Sequence, residues 1–90
     1  MNMTQQRLKI DDYYSTSDLA LASAIALYYP LEAVDRTQDP YKAQFLFKKE
    51  SQLDQLIESY WRGELRIEPQ AYFNQLKAIK ARLYADRRQP

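Results

Sequence analysis

The sequence of 90 residues contains no cysteine, no histidine and a single glycine, Gly63. It therefore lacks the ligands of the common zinc, haem and iron–sulfur centres, and it has no thiol or imidazole for catalysis. A single glycine also excludes the Walker and GxGxxG phosphate-binding loops, which need several residues without side chains. From these absences we predict a protein that is not an enzyme and that holds no cofactor and no metal.

Charge is nearly balanced over the whole chain but unevenly distributed along it. Thirteen lysine and arginine residues face twelve aspartate and glutamate residues, giving a net charge of +1. Residues 61–90 carry seven basic and three acidic side chains, whereas acidic side chains predominate in residues 1–60. Such a polarised chain has no global field that would attract nucleic acid, but its last third could do so locally.

Long apolar segments are also absent. The most apolar run, Leu19 to Leu31, is interrupted by Ser23 and is shorter than the roughly 20 residues that cross a bilayer. Aspartates precede it, where a secretory leader would have basic residues. We expect a cytoplasmic protein that does not bind membranes.

The first half of the chain predicts a helix beside short strands. We expect a flexible arm over residues 1–9, a single compact domain over 10–85 and a frayed tail over 86–90. Aromatic residues and threonine favour a strand near 12–16, and Ser15-x-x-Asp18 is a capping signal for an apolar helix that Pro30 ends after Tyr28. The runs 31–36 and 42–48 flank an Asp-Pro turn and predict a β-hairpin whose Phe45 and Phe47 face that helix.

Two amphipathic helices are expected in the second half. Ser51-x-x-Asp54 predicts the start of the first, and Gly63 its end at a residue that tolerates positive φ. Residues 65–67 alternate as a short strand would, and Pro69 fits the first turn of the last helix. The apolar stripe of that helix comprises Tyr72, Phe73, Leu76, Ile79, Lys80 and Leu83, with Tyr84 at its edge.

These elements together predict an α+β fold. A small antiparallel sheet, formed by the hairpin and a short N-terminal strand, packs on three helices in the order β-α-β-β-α-(β)-α. The strand in brackets is the run 65–67.

The order of motifs resembles a family of short prokaryotic and viral proteins classed as a domain of unknown function. The motifs are a Tyr-Ser-Thr-x-Asp-Leu start at residues 14–19, the Phe-x-Phe strand at 45–47, and Tyr-Trp-x-Gly-Glu at 60–64. Ile67-x-Pro69 and Phe73-x-x-Leu76-Lys77 follow, so the resemblance covers residues 13–84. It implies a fold but no activity, cofactor or catalytic residue.

Carboxylates and hydroxyls offer the remaining routes to catalysis. Asp11, Asp12 and Asp18 could bind Mg²⁺ or act as an acid and base, but a capping role for Asp18 is the favoured interpretation. No serine or threonine has a distinctive lysine partner at short spacing that would activate it.

Two binding surfaces are candidates instead. The basic C-terminal helix could follow phosphates through Lys77, Lys80, Arg82, Arg87 and Arg88, although these residues are expected on several faces of the helix. Eight tyrosines are many for a domain of this size, and tyrosine is enriched at interfaces. The candidate interface residues are Tyr13, Tyr14, Tyr29, Tyr41 and Tyr84.

The sequence therefore predicts a small binding module that is not an enzyme. The first hypothesis is recognition of a protein partner, or self-association, through a tyrosine-rich surface. The alternative is an accessory protein that binds nucleic acid through its basic C-terminal helix.

Overall fold

The fold of the chain is a three-stranded sheet packed against three helices. A computed structural model describes residues 12–39 and 41–88, with side chains through residue 85. Its elements are β1 (Tyr13–Thr16), α1 (Leu19–Ala26), β2 (Ala33–Asp35), β3 (Gln44–Lys48), α2 (Leu53–Trp61) and α3 (Pro69–Arg88). The predicted α+β class and the order of the elements are confirmed. The predicted arm, residues 1–9, lies outside the described residues, and α3 continues three residues past the predicted boundary at 85.

The sheet has the order β1-β3-β2, with both neighbours of β3 antiparallel to it. Residues 36–43 connect β2 to β3, so the predicted hairpin is confirmed. Phe45 pairs with Thr16 on one side and with Val34 on the other, while Phe47 pairs with Tyr14. Alternate residues of a strand share a face, so Phe45 and Phe47 point to the same side, as predicted.

Helix α1 lies at the centre of the core. Its side chains from Leu21 to Ile25 are all buried, because α2 and α3 pack on it and β3 contributes its two phenylalanines. Ser23 is polar and fully buried, but its Oγ donates a hydrogen bond to the Leu19 carbonyl at 2.8 Å. The buried cluster comprises Leu21, Ala22, Ile25, Phe45, Phe47, Leu53 and Ile79.

The ends of α1 follow local signals, with shifted boundaries. Asp18 is the N-cap, and its carboxylate accepts the Leu21 N–H at 3.1 Å. The predicted capping role of Asp18 is therefore confirmed, while Thr16 Oγ1 accepts the Asp18 N–H at 3.0 Å. The helix ends at Ala26, two residues earlier than predicted, because the Tyr28 and Tyr29 N–H groups both turn back to the Ile25 carbonyl ahead of Pro30.

Helix α2 begins without the predicted side-chain cap and ends as predicted. Ser51 does not cap it: Gln52 occupies the N-cap position without a side-chain hydrogen bond. At the other end Gly63 has φ +74°, and its N–H donates to the Tyr60 carbonyl at 3.0 Å. The Glu64 N–H donates to Ser59 at the same distance. These two bonds form a Schellman motif, which requires the left-handed residue that glycine supplies most easily.

The connection from α2 to α3 is not a strand. Residues 64–68 have no regular structure, so the bracketed strand of the predicted order is absent from the described residues. The Glu68 carboxylate accepts the N–H groups of Gln70 and Ala71, at 3.1 and 2.7 Å, and so caps α3. Pro69 occupies the first position of α3, as predicted.

Side chains join α3 to the rest of the domain from both directions. Tyr72 Oη donates to the Ala20 carbonyl of α1 at 3.2 Å. Arg82 Nη1 donates to the Leu31 carbonyl at 3.3 Å, and Arg36 Nη2 donates in return to the Leu83 carbonyl at 2.8 Å. With the buried Ile79, these bonds fix which face of α3 points away from the core.

Candidate functional site

The exposed side of α3 carries a row of two aromatic and two basic residues. We call Phe73, Lys77, Lys80 and Tyr84 the α3 stripe; all four are exposed. Their spacing of four, three and four residues places them on one face of a helix. At 1.5 Å per residue, Phe73 and Tyr84 are about 16 Å apart along the axis. The stripe is therefore a narrow surface with a ring at each end and two lysines between.

Packing on the neighbouring face explains why the stripe is exposed. Ile79 is buried against the core, and Leu83 is partly buried beside it. Phe73 is one residue after the half-buried Tyr72, so the helix turns it away by about 100°. Phe73 is 55% exposed, so the prediction that it belongs to the apolar, core-facing stripe of the last helix is wrong.

The charge of this helix has one sign over most of its length. Residues 69–85 contain Lys77, Lys80 and Arg82 and no acidic residue. Lys77 Nζ lies 5.2 Å from the centre of the Phe73 ring, within the range of a cation–π interaction. The stripe therefore presents positive charge and aromatic surface together.

The five predicted basic residues do not share one environment. Lys77 and Lys80 lie on the same face, so the expectation of charges on several faces does not hold for this pair. Arg82 is nearly opposite, where its guanidinium donates to the carbonyls of Leu31 and, at 3.5 Å, Glu32. Arg87 and Arg88 follow Tyr84 by three and four helical positions, and their side chains lie outside the described part.

The predicted tyrosine surface is divided between different parts of the fold. Tyr41 is 95% exposed and Tyr84 48%. Tyr14 and Tyr29 pack against the core cluster. Tyr13 and Tyr14 are successive residues of β1 and point to opposite faces of the sheet, so they cannot belong to one surface.

Other exposed aromatic residues were not predicted from the sequence. Tyr28, at 54%, and Trp61, at 62%, are both largely exposed. The Trp61 ring meets the half-buried Tyr60 ring edge to face, with centroids 5.0 Å apart. Trp61 follows Leu53 by eight residues, a spacing typical of the buried face of an amphipathic helix, so periodicity alone could not identify it as exposed.

Most of the chain matches a known protein family. The family model described as a domain of unknown function (DUF5659) matches residues 11–85. The chain belongs to the DUF5659 family. The predicted membership in a family of unknown function is therefore confirmed. No curated protein and no solved structure matches the chain.

The acidic residues of this DUF5659 domain do not assemble a metal site in the part that the structure describes. Among those residues, no group of three or more potential acidic ligands comes together. Asp18 is occupied as the cap of α1, Asp12 is exposed, and Asp11 lies outside the described residues.

Asp18 also influences two neighbouring tyrosines. Burial raises the pKa of Tyr14, and the negative charges of Asp18 and Asp54 raise it further. Burial likewise raises the pKa of Tyr60, again assisted by Asp18. Both phenols are therefore held more firmly in the neutral form, so even less of the phenolate, the nucleophilic form, is present near neutral pH.

The hydroxyl groups near the start of α1 in this DUF5659 domain serve the backbone. Ser23 Oγ donates to the Leu19 carbonyl, and Thr16 Oγ1 accepts from the Asp18 N–H.

No helix in the described ranges is both long enough and apolar enough to cross a membrane. Because it combines exposed rings with positive charge, the α3 stripe is the feature of the domain that most resembles a binding site.

Proposed function

We propose that this DUF5659 protein is a binding module without enzymatic activity, and that its α3 stripe binds single-stranded nucleic acid. The observation that supports the proposal is the presence of two exposed rings and, between them, two exposed lysines on one helix face, without an acidic neighbour along residues 69–85. Lysines can neutralise phosphates, and exposed rings can stack on bases.

The geometry favours a single strand over a duplex. In a duplex the bases already stack on one another, so Phe73 and Tyr84 would have nothing to stack on. An extended single strand leaves both its bases and its phosphates accessible, so the rings at the two ends of the stripe could stack on bases while the two lysines between them meet phosphates. The rise of about 16 Å along the helix axis from Phe73 to Tyr84 corresponds to a few nucleotides.

Self-association through the same stripe is disfavoured by its charge. Two copies that packed stripe against stripe would bring Lys77 and Lys80 of one copy close to those of the other. Like charges placed opposite each other oppose association. A polyanion is the complementary partner, and we propose that it is met in the cytoplasm.

Binding of fluorescently labelled oligothymidylate of about 12 nucleotides, followed by anisotropy across a salt series, tests the proposal. The logarithm of affinity should fall linearly with the logarithm of salt concentration, by about 0.7 for each phosphate neutralised. Lys77→Gln with Lys80→Gln should lower that slope by about 1.4. The matched control is Lys48→Gln with Lys49→Gln, which removes the same charge at exposed positions at the end of β3.

Loss of affinity confined to the stripe variant supports the proposal. An equal loss in the control variant would show an unspecific charge effect and would contradict it. The proposal would also be contradicted if the stripe variant bound the oligonucleotide as tightly as the wild type does, or if the wild type did not bind it at low salt.

A protein partner is a second candidate, favoured by a different surface. A hollow of about 210 Å³ lies between the end of α1 and α2, lined by Tyr28, Tyr29, Leu56 and Leu65 together with glutamine and serine side chains. Exposed tyrosine beside apolar and amide groups is typical of protein interfaces. If a protein binds in this hollow, Tyr28→Ala should abolish capture of that protein while leaving oligothymidylate binding unchanged. Capture of the protein by the Tyr28→Ala variant would exclude the hollow as its binding surface.

A further inference from the structure

A second cavity, away from the α3 stripe, has the composition of an anion-binding site. It has a volume of about 350 Å³ and lies between the start of α1, the connection from β2 to β3, and Leu83 of α3. We propose that it binds a small organic anion, one that carries a carboxylate or phosphate on an apolar ring or chain. The proposal does not depend on nucleic-acid binding by the stripe.

The positive wall of the cavity is formed by Arg36 and Lys42, with the Ser17 hydroxyl nearby. Arg36 Nη2 donates to the Leu83 carbonyl, which holds the guanidinium in place. Its Nε is buried without a hydrogen-bond partner, so the protein uses only part of the donor capacity of this group. Within the described residues no carboxylate forms an ion pair with either cation. A charged group held in this way is stabilised by an anionic partner.

Several other residues that line the cavity are apolar. They include Leu19, Leu83 and the buried ring of Phe45. A bare inorganic ion would meet the cations but leave this apolar lining uncovered. The volume falls in the range of small-molecule sites, which combine an apolar lining with a few charged groups. The cations and the apolar lining together therefore specify an oxyanion joined to an apolar body.

The carbonyl contact of Arg36 explains how the site is preorganised. Because Leu83 belongs to α3 and Arg36 follows β2, the bond between them spans 47 residues of sequence and fixes the cation before a ligand arrives. Preorganised groups lose less entropy on binding than mobile ones. Lys42, which is exposed, supplies the adjustable second charge.

Titration of the ¹⁵N-labelled protein with phenyl phosphate, benzoate, inorganic phosphate and phenol, followed by NMR, tests the proposal. Amide signals of Ser17, Leu19 and Lys42 should shift with phenyl phosphate or benzoate, and the tighter of the two identifies the oxyanion. Inorganic phosphate and phenol should each bind about 10-fold more weakly, because each lacks one half of the ligand.

Lys42→Gln should weaken the tighter ligand by about 5-fold, and the matched control Lys48→Gln by less than about 2-fold. Arg36→Lys should weaken it further, but Lys42→Gln decides the question if loss of the Leu83 contact disturbs folding. No shift with either organic anion at about 10 mM would overturn the proposal. Inorganic phosphate binding as tightly as phenyl phosphate, or equal effects of Lys42→Gln and Lys48→Gln, would overturn it too.

Discussion

Helices α1 and α3 share one core but present their surfaces in opposite ways. In α1, five successive side chains from Leu21 to Ile25 are buried, so the middle of this helix has no exposed face. In α3, Ile79 is buried while Phe73 and Tyr84 are about half exposed. The comparison separates two roles: α1 lies at the centre of the core, and α3 carries the exposed surface that we propose binds nucleic acid.

The difference originates in the residues of each helix. α1 reads Leu-Ala-Leu-Ala-Ser-Ala-Ile-Ala, and its small side chains let neighbouring elements approach from several sides. α3 spaces a few apolar residues among lysine, arginine, glutamine and asparagine. A helix of that kind packs along one face and stays solvated on the others.

The largest expected difference between the two regions comes from replacing a phenylalanine by alanine in each, beside α1 and on α3. Phe47→Ala removes a fully buried ring beside α1 and should cost about 3–5 kcal/mol of unfolding free energy through the cavity that it leaves. Phe73→Ala should cost less than about 1 kcal/mol, because that ring is already half solvated. Denaturant unfolding of both variants measures the difference. Similar losses of unfolding free energy in the two variants would show that the exposed face of α3 is as important for stability as the core beside α1.

The junction between α2 and α3 should be the next most sensitive point. Gly63→Ala forces a side chain into the left-handed conformation at φ +74° and should cost about 1–2 kcal/mol. The new Cβ would meet no atom within 4 Å, so the cost is conformational and not a clash. Gly63→Asn, better tolerated in this conformation, should cost less. Thermal unfolding separates the two, and equal stability of Gly63→Ala and the wild type would refute the Schellman ending.

The caps of the two helices give a smaller, paired comparison. Asp18→Ala should cost about 1 kcal/mol because it leaves the start of the buried helix without its acceptor. Glu68→Ala at the start of α3 should cost less than Asp18→Ala, since that cap is exposed to water. Asp18→Asn retains an acceptor and is the control for Asp18. A larger loss from Glu68→Ala than from Asp18→Ala, measured by denaturant unfolding, would reverse the assignment of roles.

The smallest expected effect is a loss of stability at high pH around α1. The pKa values of Tyr14 and Tyr60 are raised in the folded state, so each contributes stability that is fully present below the unfolded pKa of about 10. That contribution is lost as the pH rises through the higher folded pKa. Unfolding free energy should thus be flat near neutrality and fall above pH about 10. Tyr14→Phe with Tyr60→Phe should reduce the fall, and an unchanged pH profile in that variant would contradict this origin.

Local chemistry made much of the fold predictable. Gly63 and Pro69 marked the end of α2 and the start of α3, because each has a backbone preference of its own, whereas Pro30 predicted the end of α1 two residues too late. Alternation at Phe45 and Phe47 identified the face of β3 that joins the core cluster, although Leu46 on the other face is buried as well. The run 65–67 alternates in the same way, but a strand also needs a free edge to pair with, which its own residues cannot reveal.

The candidate sites depend on contacts between distant residues, and these were harder to predict. Tyr72 and Phe73 both fit an amphipathic pattern, and only the packing of α3 decides which of them faces the core. Arg82 resembles Lys80 in sequence, yet it donates to carbonyls around residue 31. The cavity beside Arg36 arises from residues 17, 36, 42 and 83, which no local motif connects.

One measurement tests the division between α1 and α3 most directly: stability and oligothymidylate affinity determined on the same variant, Phe73→Ala with Tyr84→Ala. We predict that affinity falls at least about 10-fold, because stacking contributes about 1–3 kcal/mol for each base, while the unfolding free energy changes by less than about 1 kcal/mol. Tyr41→Ala, which removes a 95% exposed ring elsewhere, should change neither quantity. Unchanged affinity in the double variant, or affinity lost only together with stability, would contradict the account.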